Sequence, residues 1–167
     1  YGYLKGTINP LNFYALSKAT VDYWVMDNMD RFEQVQGFRY FNVYGEGEEH
    51  KGDQASPISK FTKQARENDI IKIFEDSEYA FRDFVCVDDV VDVVLDNTAG
   101  SGIYDVGTGN PISFLEIAEL IAKKEGAEIE VIPFPKHLEG KYQEYTCADT
   151  SWYPHDYTSV PEYMGMS

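Results

Sequence analysis

The amino-acid sequence predicts an α/β protein with a mainly parallel sheet. Short apolar, strand-like runs alternate with segments of helical period along most of the chain. Several helical segments also carry their own start and stop signals, so the reading does not rest on hydrophobicity alone. The 167 residues suffice for one sizeable core and leave a division into two parts only marginally possible. No internal repeat or low-complexity tract interrupts them.

The first element is a helix. Asn12, just after the Asn9-Pro10 turn signal, can cap a helix running to about Met29, with Tyr14, Lys18, Val21 and Val25 on one face. Residues Val35–Val43 read as one buried strand, and Tyr44–Gln54 as a loop rich in glycine and charge. An amphipathic helix over Pro57–Asn68 and a short strand over Ile70–Phe74 follow. Phe84–Val87 is the next strand, and Asp88 or Asp89 could cap the helix that carries Val90, Val91, Val93, Val94 and Leu95. Ile103–Val106 is a strand ending on Gly107-Thr108-Gly109. Ser113 and Glu116 have capping-box spacing, in which hydroxyl and carboxylate each satisfy a free amide. The helix they open buries Phe114, Ile117, Ala118 and Ile121 and stops at Gly126, after Lys123 and Lys124. Glu128–Ile132 is a last strand, and the Pro- and Tyr-rich tail shows no clear final helix.

Composition narrows the function. A hydrophobic content of 43% with 26% charged residues is that of a globular rather than a disordered chain. The formal charge of −15 argues against a nucleic-acid partner, because phosphate backbones need a basic footprint. Apolar runs fall well short of the roughly 20 residues that span a bilayer, and no export signal opens the chain, so a cytoplasmic protein without a membrane anchor is expected. Cys86 and Cys147 fit no metal spacing and read as core residues rather than a disulfide. His50, His137 and His155 show no mutual spacing that suggests a metal site either.

The sharpest local feature is Tyr14-Ala15-Leu16-Ser17-Lys18, which sets a phenol and an ammonium side by side on a helix. An ammonium beside a phenol stabilises the phenolate and fits it for acid/base work, and the same lysine can donate to ribose hydroxyls. Pairs at this spacing also occur by chance, so the motif needs company. It has company in Phe38-Arg39-Tyr40-Phe41-Asn42-Val43-Tyr44-Gly45, in Arg82-Asp83-Phe84-Val85 with Val87-Asp88-Asp89, and in Asp105-Val106-Gly107-Thr108-Gly109.

These four stretches, in this order and at these separations, resemble the extended short-chain dehydrogenase/reductase family across nearly the whole chain. The chain is similar to the C-terminal two-thirds of the nucleotide-sugar epimerases of that family. Three further stretches narrow the likeness: His50-Lys51-Gly52, Phe74-Glu75-Asp76-Ser77, and Ile132-Pro133-Phe134-Pro135 leading to Gly140-Lys141-Tyr142-Gln143. They resemble the branch that acts on ADP-linked heptoses for lipopolysaccharide inner-core synthesis.

The resemblance implies the rear part of a Rossmann-type parallel sheet plus a smaller α/β substrate-binding domain. Residues 1–43 would belong to the former, with 83–97 returning to it, and 44–167 mainly to the latter. It implies NADP, or NAD, as cofactor, an ADP-heptose or related nucleotide sugar as substrate, and a homo-oligomer. The reaction implied is inversion at C6 through a transient ketone, which needs an acid/base group on each face of the carbon. Tyr14 would serve one face and Lys51 the other, while Lys18 tunes Tyr14. Lys18, Val43 and Lys51 would border the cofactor. Asn42, Asp53, Lys60, Phe74, Glu75, Asp76, Ser77, Arg82 and Tyr142 would border the substrate, with Arg82 on its diphosphate, because a guanidinium offers phosphate a bidentate fork.

Plainer readings stand beside these. Lys51 lies among Glu46, Glu48, Glu49 and Asp53 and also reads as a solvated loop charge. Arg82 and Asp83 read equally as a structural ion pair, and Tyr142 as one more buried aromatic. Gly107-Thr108-Gly109 looks like a phosphate loop but is a strand-to-helix turn in this family. Two positions depart from the family pattern, with Asp53 where a small hydroxyl residue is usual and Lys60 where a histidine is. No Gly-rich strand-to-helix turn for a dinucleotide pyrophosphate occurs, and the chain enters its first motif soon after Tyr1, so an upstream segment supplying that turn is expected. Other readings are a nucleotide-sugar 4-epimerase, a 4,6-dehydratase, or a catalytically silent binding or oligomerisation module.

Overall fold

Asn12 begins the fold as expected: its side chain accepts from the Ala15 amide at 2.8 Å and caps α1, Phe13–Asp27. The computed structural model describes residues 10, 12–136 and 143–166. The packing face of α1 is Ala15, Ala19 and Asp22, not the Tyr14-Lys18-Val21 stripe, which stays exposed. Small residues let the helix approach the sheet, and Asp22 accepts from Arg39 Nε at 2.7 Å.

Residues 35–43 form two strands rather than one. β1, Gln36–Tyr40, and β2, Asn42–Tyr44, are separated at Phe41 because each half has a different partner. β1 pairs in parallel with β6, Gly102–Val106, and β2 with β5, Phe84–Cys86. Helix α2, Pro57–Asn68, leads into β3, Ile70–Phe74, which pairs in parallel with β8, Glu128–Ile132. Ile71 and Ile73 point into the core while Lys72, between them, meets its register partner Glu130 outside at 3.2 Å. A two-residue antiparallel pair, β4 at Phe81–Arg82 with β7 at Ile112–Ser113, has no period to announce it. The parallel pairs and intervening helices bear out the α/β class.

Helix α3, Val87–Asp96, is capped differently from the expectation. Cys86 is its N-cap without a side-chain bond, and Asp88 and Asp89 lie inside the first turn. Asp89 is buried and its carboxylate holds the tail instead, accepting from the Thr158 amide at 2.9 Å and lying 3.3 Å from His155 Nε2. The Ser113–Glu116 capping box forms at the start of α4, Phe114–Glu125. The tail contains a one-turn helix that the sequence reading left out, α5 at Val160–Tyr163, with its own Ser159–Glu162 capping box.

Two buried clusters result. The larger joins α2, β3, α4 and α5 through Ile58, Phe61, Ile71, Ile117, Ile121, Val160 and Met164. The smaller joins Val85, Val90, Val93 and Val106 with Phe38, Val43, Trp152 and Tyr157 packed against them. Cys86 is buried and Cys147 half-buried, both as free thiols, and burial pushes both up from the usual thiol range. Among the described residues no helix is long and apolar enough to cross a membrane.

Candidate active site

Tyr14 and Lys18 stand on the outer face of α1 because the inner face is committed to Ala15, Ala19 and Asp22. Tyr14 is 70% exposed, and the Lys18 ammonium lies 5.3 Å from the centre of its ring, within cation–π range. The pair is therefore preformed and open to a ligand. Phe13, Leu16, Val21 and Trp24 on the same helix are also exposed, so the surroundings of the pair are apolar.

Lys51 follows a tight anchor. Residues Glu49–Gln54 form 3-10 turns interrupted at Gly52, whose φ of +53° with ψ of −123° lies where side-chain-bearing residues are strained. Directly ahead of them Glu48 is buried, and its carboxylate accepts from the Ser56 amide at 3.0 Å and the Ser56 hydroxyl at 2.5 Å. The Lys51 ammonium donates to the same carboxylate at 3.2 Å, and the Lys51 amide donates to the Glu48 carbonyl at 2.9 Å. Burial pushes Glu48 upward, but the bonds from Ser56 and Lys51 outweigh it and hold the carboxyl below the usual glutamate range. Ser56 in turn caps α2 by accepting from the Ser59 amide. The two residues that depart from the family pattern meet here, with Lys60 Nζ donating to the Asp53 carbonyl at 3.3 Å.

The third group begins at the C-terminal end of β3. Phe74 packs edge-on against Phe134 at 5.6 Å, Asp76 takes a left-handed turn at φ +63°, and Ser77 closes the turn by donating to the Phe74 carbonyl at 2.6 Å. The Glu75 amide donates to the Ile132 carbonyl, tying this turn to β8. Arg82 is buried on β4, with its guanidinium 5.7 Å from the Phe114 ring centre. It donates to the carbonyls of Phe81 and Gln143, which fixes the plane of the guanidinium. Tyr142, next to Gln143, lies outside the described residues.

Asp83 proves to be the organiser of this end. Fully buried, it accepts from the Thr108 amide at 2.7 Å, the Thr108 hydroxyl at 2.8 Å, the Gly109 amide at 2.9 Å and the Ala148 amide at 2.9 Å. Its carbonyl accepts from the Asn42 amide at 2.9 Å, which sets Asn42 and Val43 on β2 beside β5, the strand that follows Asp83. Gly107 is required because a Cβ there would lie 2.9 Å from the Asp83 carboxylate and 2.8 Å from Ala148. The Gly107-Thr108-Gly109 segment is thus a turn whose amides are engaged by a carboxylate, not a phosphate loop.

The structure therefore gathers the expected residues into three sets: Tyr14 with Lys18; Lys51, Asp53 and Lys60; and Asn42, Val43, Arg82 and the Phe74–Ser77 turn. Sequence reasoning missed Glu48 as the partner of Lys51 and Asp83 as the support of Arg82 and Asn42. The three-residue step from Glu48 to Lys51 was the available signal for the first; the second depends on contacts across 65 residues, to Ala148.

An open Tyr/Lys pair on a helix beside parallel strands, in a chain that also buries an Arg-Asp step, marks a class, and the chain belongs to it: the NAD dependent epimerase/dehydratase family, whose model matches residues 3–107. The chain is 45% identical over 152 residues to the ADP-L-glycero-D-manno-heptose-6-epimerase of Alkalilimnicola ehrlichii, across 85% of this chain and 48% of that protein. It is 46% identical over 147 residues to the protein of the same name from Brachyspira hyodysenteriae, across 84% of this chain and 46% of that one. It thus spans about half the length of the curated relatives it matches, less than the two-thirds the sequence suggested. Among solved structures, the Helicobacter pylori ADP-L-glycero-D-manno-heptose-6-epimerase superposes with a TM-score of 0.78 at 26% identity, over 99% of this chain and 53% of that one. The UDP-glucose 4-epimerase of Thermotoga maritima shares the fold at a TM-score of 0.77 and 22% identity, over 99% of this chain and 57% of that one.

Proposed function

We propose that these residues serve the epimerisation of an ADP-linked glycero-manno-heptose at C6, with a nicotinamide cofactor, NADP before NAD. The observation that carries the reading is the preformed Tyr14–Lys18 pair, with the ammonium 5.3 Å from an exposed phenol ring. The likeness to heptose epimerases over most of the chain favours this substrate over other sugar nucleotides.

The residues suit one end of the cofactor. Lys18 is exposed beside Tyr14 and can donate to ribose hydroxyls. The amides of Thr108 and Gly109, the obvious cradle for a pyrophosphate, are occupied by Asp83. When bound, the nicotinamide supplies reversible hydride exchange at C6. Tyr14 takes the C6 hydroxyl proton on one face, and Lys51 returns a proton to the ketone oxygen once the other face is presented. Asn42, Asp53, Lys60 and the Phe74–Ser77 turn border the substrate. Arg82 holds its diphosphate, and Tyr142 closes over it. Residues 1–43 and 83–97 form the cofactor side and most of 44–167 the substrate side. The reading extends to a homo-oligomeric, cytoplasmic enzyme of lipopolysaccharide inner-core synthesis.

The test replaces the matching half of the Alkalilimnicola ehrlichii relative with this chain and follows ADP-heptose by NMR. Inversion at C6, lost in Tyr14→Phe and Lys51→Ala, is expected. Turnover of a UDP-hexose at C4 instead, or full activity in both variants, would sink the reading.

A further inference from the structure

Glu48 is a carboxylate with an unusual placement: buried beneath a loop, yet next to an ammonium whose side chain is 41% exposed. Burying a carboxylate costs several kcal/mol unless it is paired and hydrogen-bonded, and here every contact serves one of two ends. Toward the protein, Ser56 gives it an amide and a hydroxyl, at the residue that caps α2. Toward solvent it receives Lys51. The lysine is gripped twice, since its amide donates to the Glu48 carbonyl while its ammonium reaches the Glu48 carboxylate. The +53° φ of Gly52 turns the chain away immediately afterwards. A free lysine samples many rotamers, and a proton donor must be held within hydrogen-bond reach of its target.

We propose that Glu48 is the positioning residue for Lys51: it links the ammonium to the N-terminus of α2 and presents it, already oriented, to the second face of the reacting carbon. This rests on the reading of Lys51 as the second acid/base group. Glu46 and Glu49 are exposed on the same loop and do not substitute, because neither is anchored to α2 through Ser56. Glu48→Gln keeps the shape and can still accept from Ser56 while losing the charge that holds Lys51.

Two measurements test it. In the 167-residue chain with its lysines reductively 13C-methylated, the Lys51 methyl signal is expected to be broad and dispersed, and to sharpen toward the free-lysine position in Glu48→Gln while the Ser56 and Ser59 amide signals stay in place. A Lys51 signal identical in the two proteins overturns the inference without needing any turnover. In the chimera described above, Glu48→Gln is expected to lower kcat about tenfold or more, against the 10²–10⁴-fold that an acid/base group contributes, with KM within about twofold. In the Lys51→Ala background the same substitution is expected to do nothing further. A merely structural Glu48 would instead give losses additive with those of Lys51→Ala, and that result overturns the proposal. Lys51→Ala with full activity removes the acid/base reading itself and this inference with it; Lys51→Ala inactive beside a fully active Glu48→Gln removes the inference alone.

Discussion

Asp83 has no exposed surface, yet its carboxylate has four donors around it, so the charge is solvated by the protein rather than by water. Asp83→Asn puts an NH2 group against amides that also donate, and leaves buried N–H groups of the 107–109 turn or of Ala148 without an acceptor. A loss of about 2–4 kcal/mol is expected, at one to three kcal/mol per orphaned group, read as a lower urea midpoint with unchanged slope. Thr108→Val, which removes only the hydroxyl, should cost about 1 kcal/mol. Glu48 gives a pH signature. Its folded carboxyl is held below the ordinary glutamate value, so its contribution is present above that value and is lost as pH falls through the folded one. Stability of the wild-type chain minus that of Glu48→Gln should therefore shrink on acidification below that value. Asp105, which burial pushes the opposite way, is common to both proteins and drops out of the difference. Asp83 in sequence is only the neighbour of an arginine, and Glu48 is one acid among several, set apart by no more than its three-residue step to Lys51. Burial and long-range donors assign them.

Elements with local signals were read almost to the residue. Pro57–Asn68, Ile70–Phe74 and Glu128–Ile132 fall where period and turn residues put them, because cap, helix face and stop are all encoded within a dozen positions. The misreadings share a cause. Residues 35–43 look like one strand, but Phe41 N–H goes to Val106 and Asn42 N–H to Asp83, so the chain changes sheets at that point. Asp88 and Asp89 look like caps, but Asp89 is taken by Thr158, nearly 70 residues away. Where the signal is local, its energy should be local too. Ser113→Ala removes the hydroxyl that accepts from the Glu116 amide, and leaves Glu116 without half of its reciprocal bond. About 1 kcal/mol of stability is expected to go, with early hydrogen exchange confined to the first turn of α4. Exchange spreading through β3 and β8 would show that the cap holds more than its own helix.

At the scale of the molecule, the chain couples a well-filled rear core to an open front. Ile71, Ile117, Ala118 and Ile121 are fully buried, while Phe13, Tyr14, Leu16 and Trp24 on α1 lie in water. Cofactor binding divides along the same line. On the proposed reading Lys18 and Tyr14 would meet a ribose and its nicotinamide, but a dinucleotide draws much of its affinity from a helix N-terminus and glycine amides around the pyrophosphate. The amides of Thr108 and Gly109 are bound to Asp83, whose own negative charge repels a phosphate, and the formal charge of −15 adds repulsion at low salt. NADPH titrated into the 167-residue chain is therefore expected to show no saturable fluorescence change in the micromolar range, and added salt should not create one. Lys18→Ala should leave that weak response unaltered, whereas in the chimera, which adds the other half of the relative, it should weaken binding. Saturable micromolar binding to the chain alone would mean that its own residues hold the pyrophosphate, and the Asp83-bound turn would then have to open to receive it.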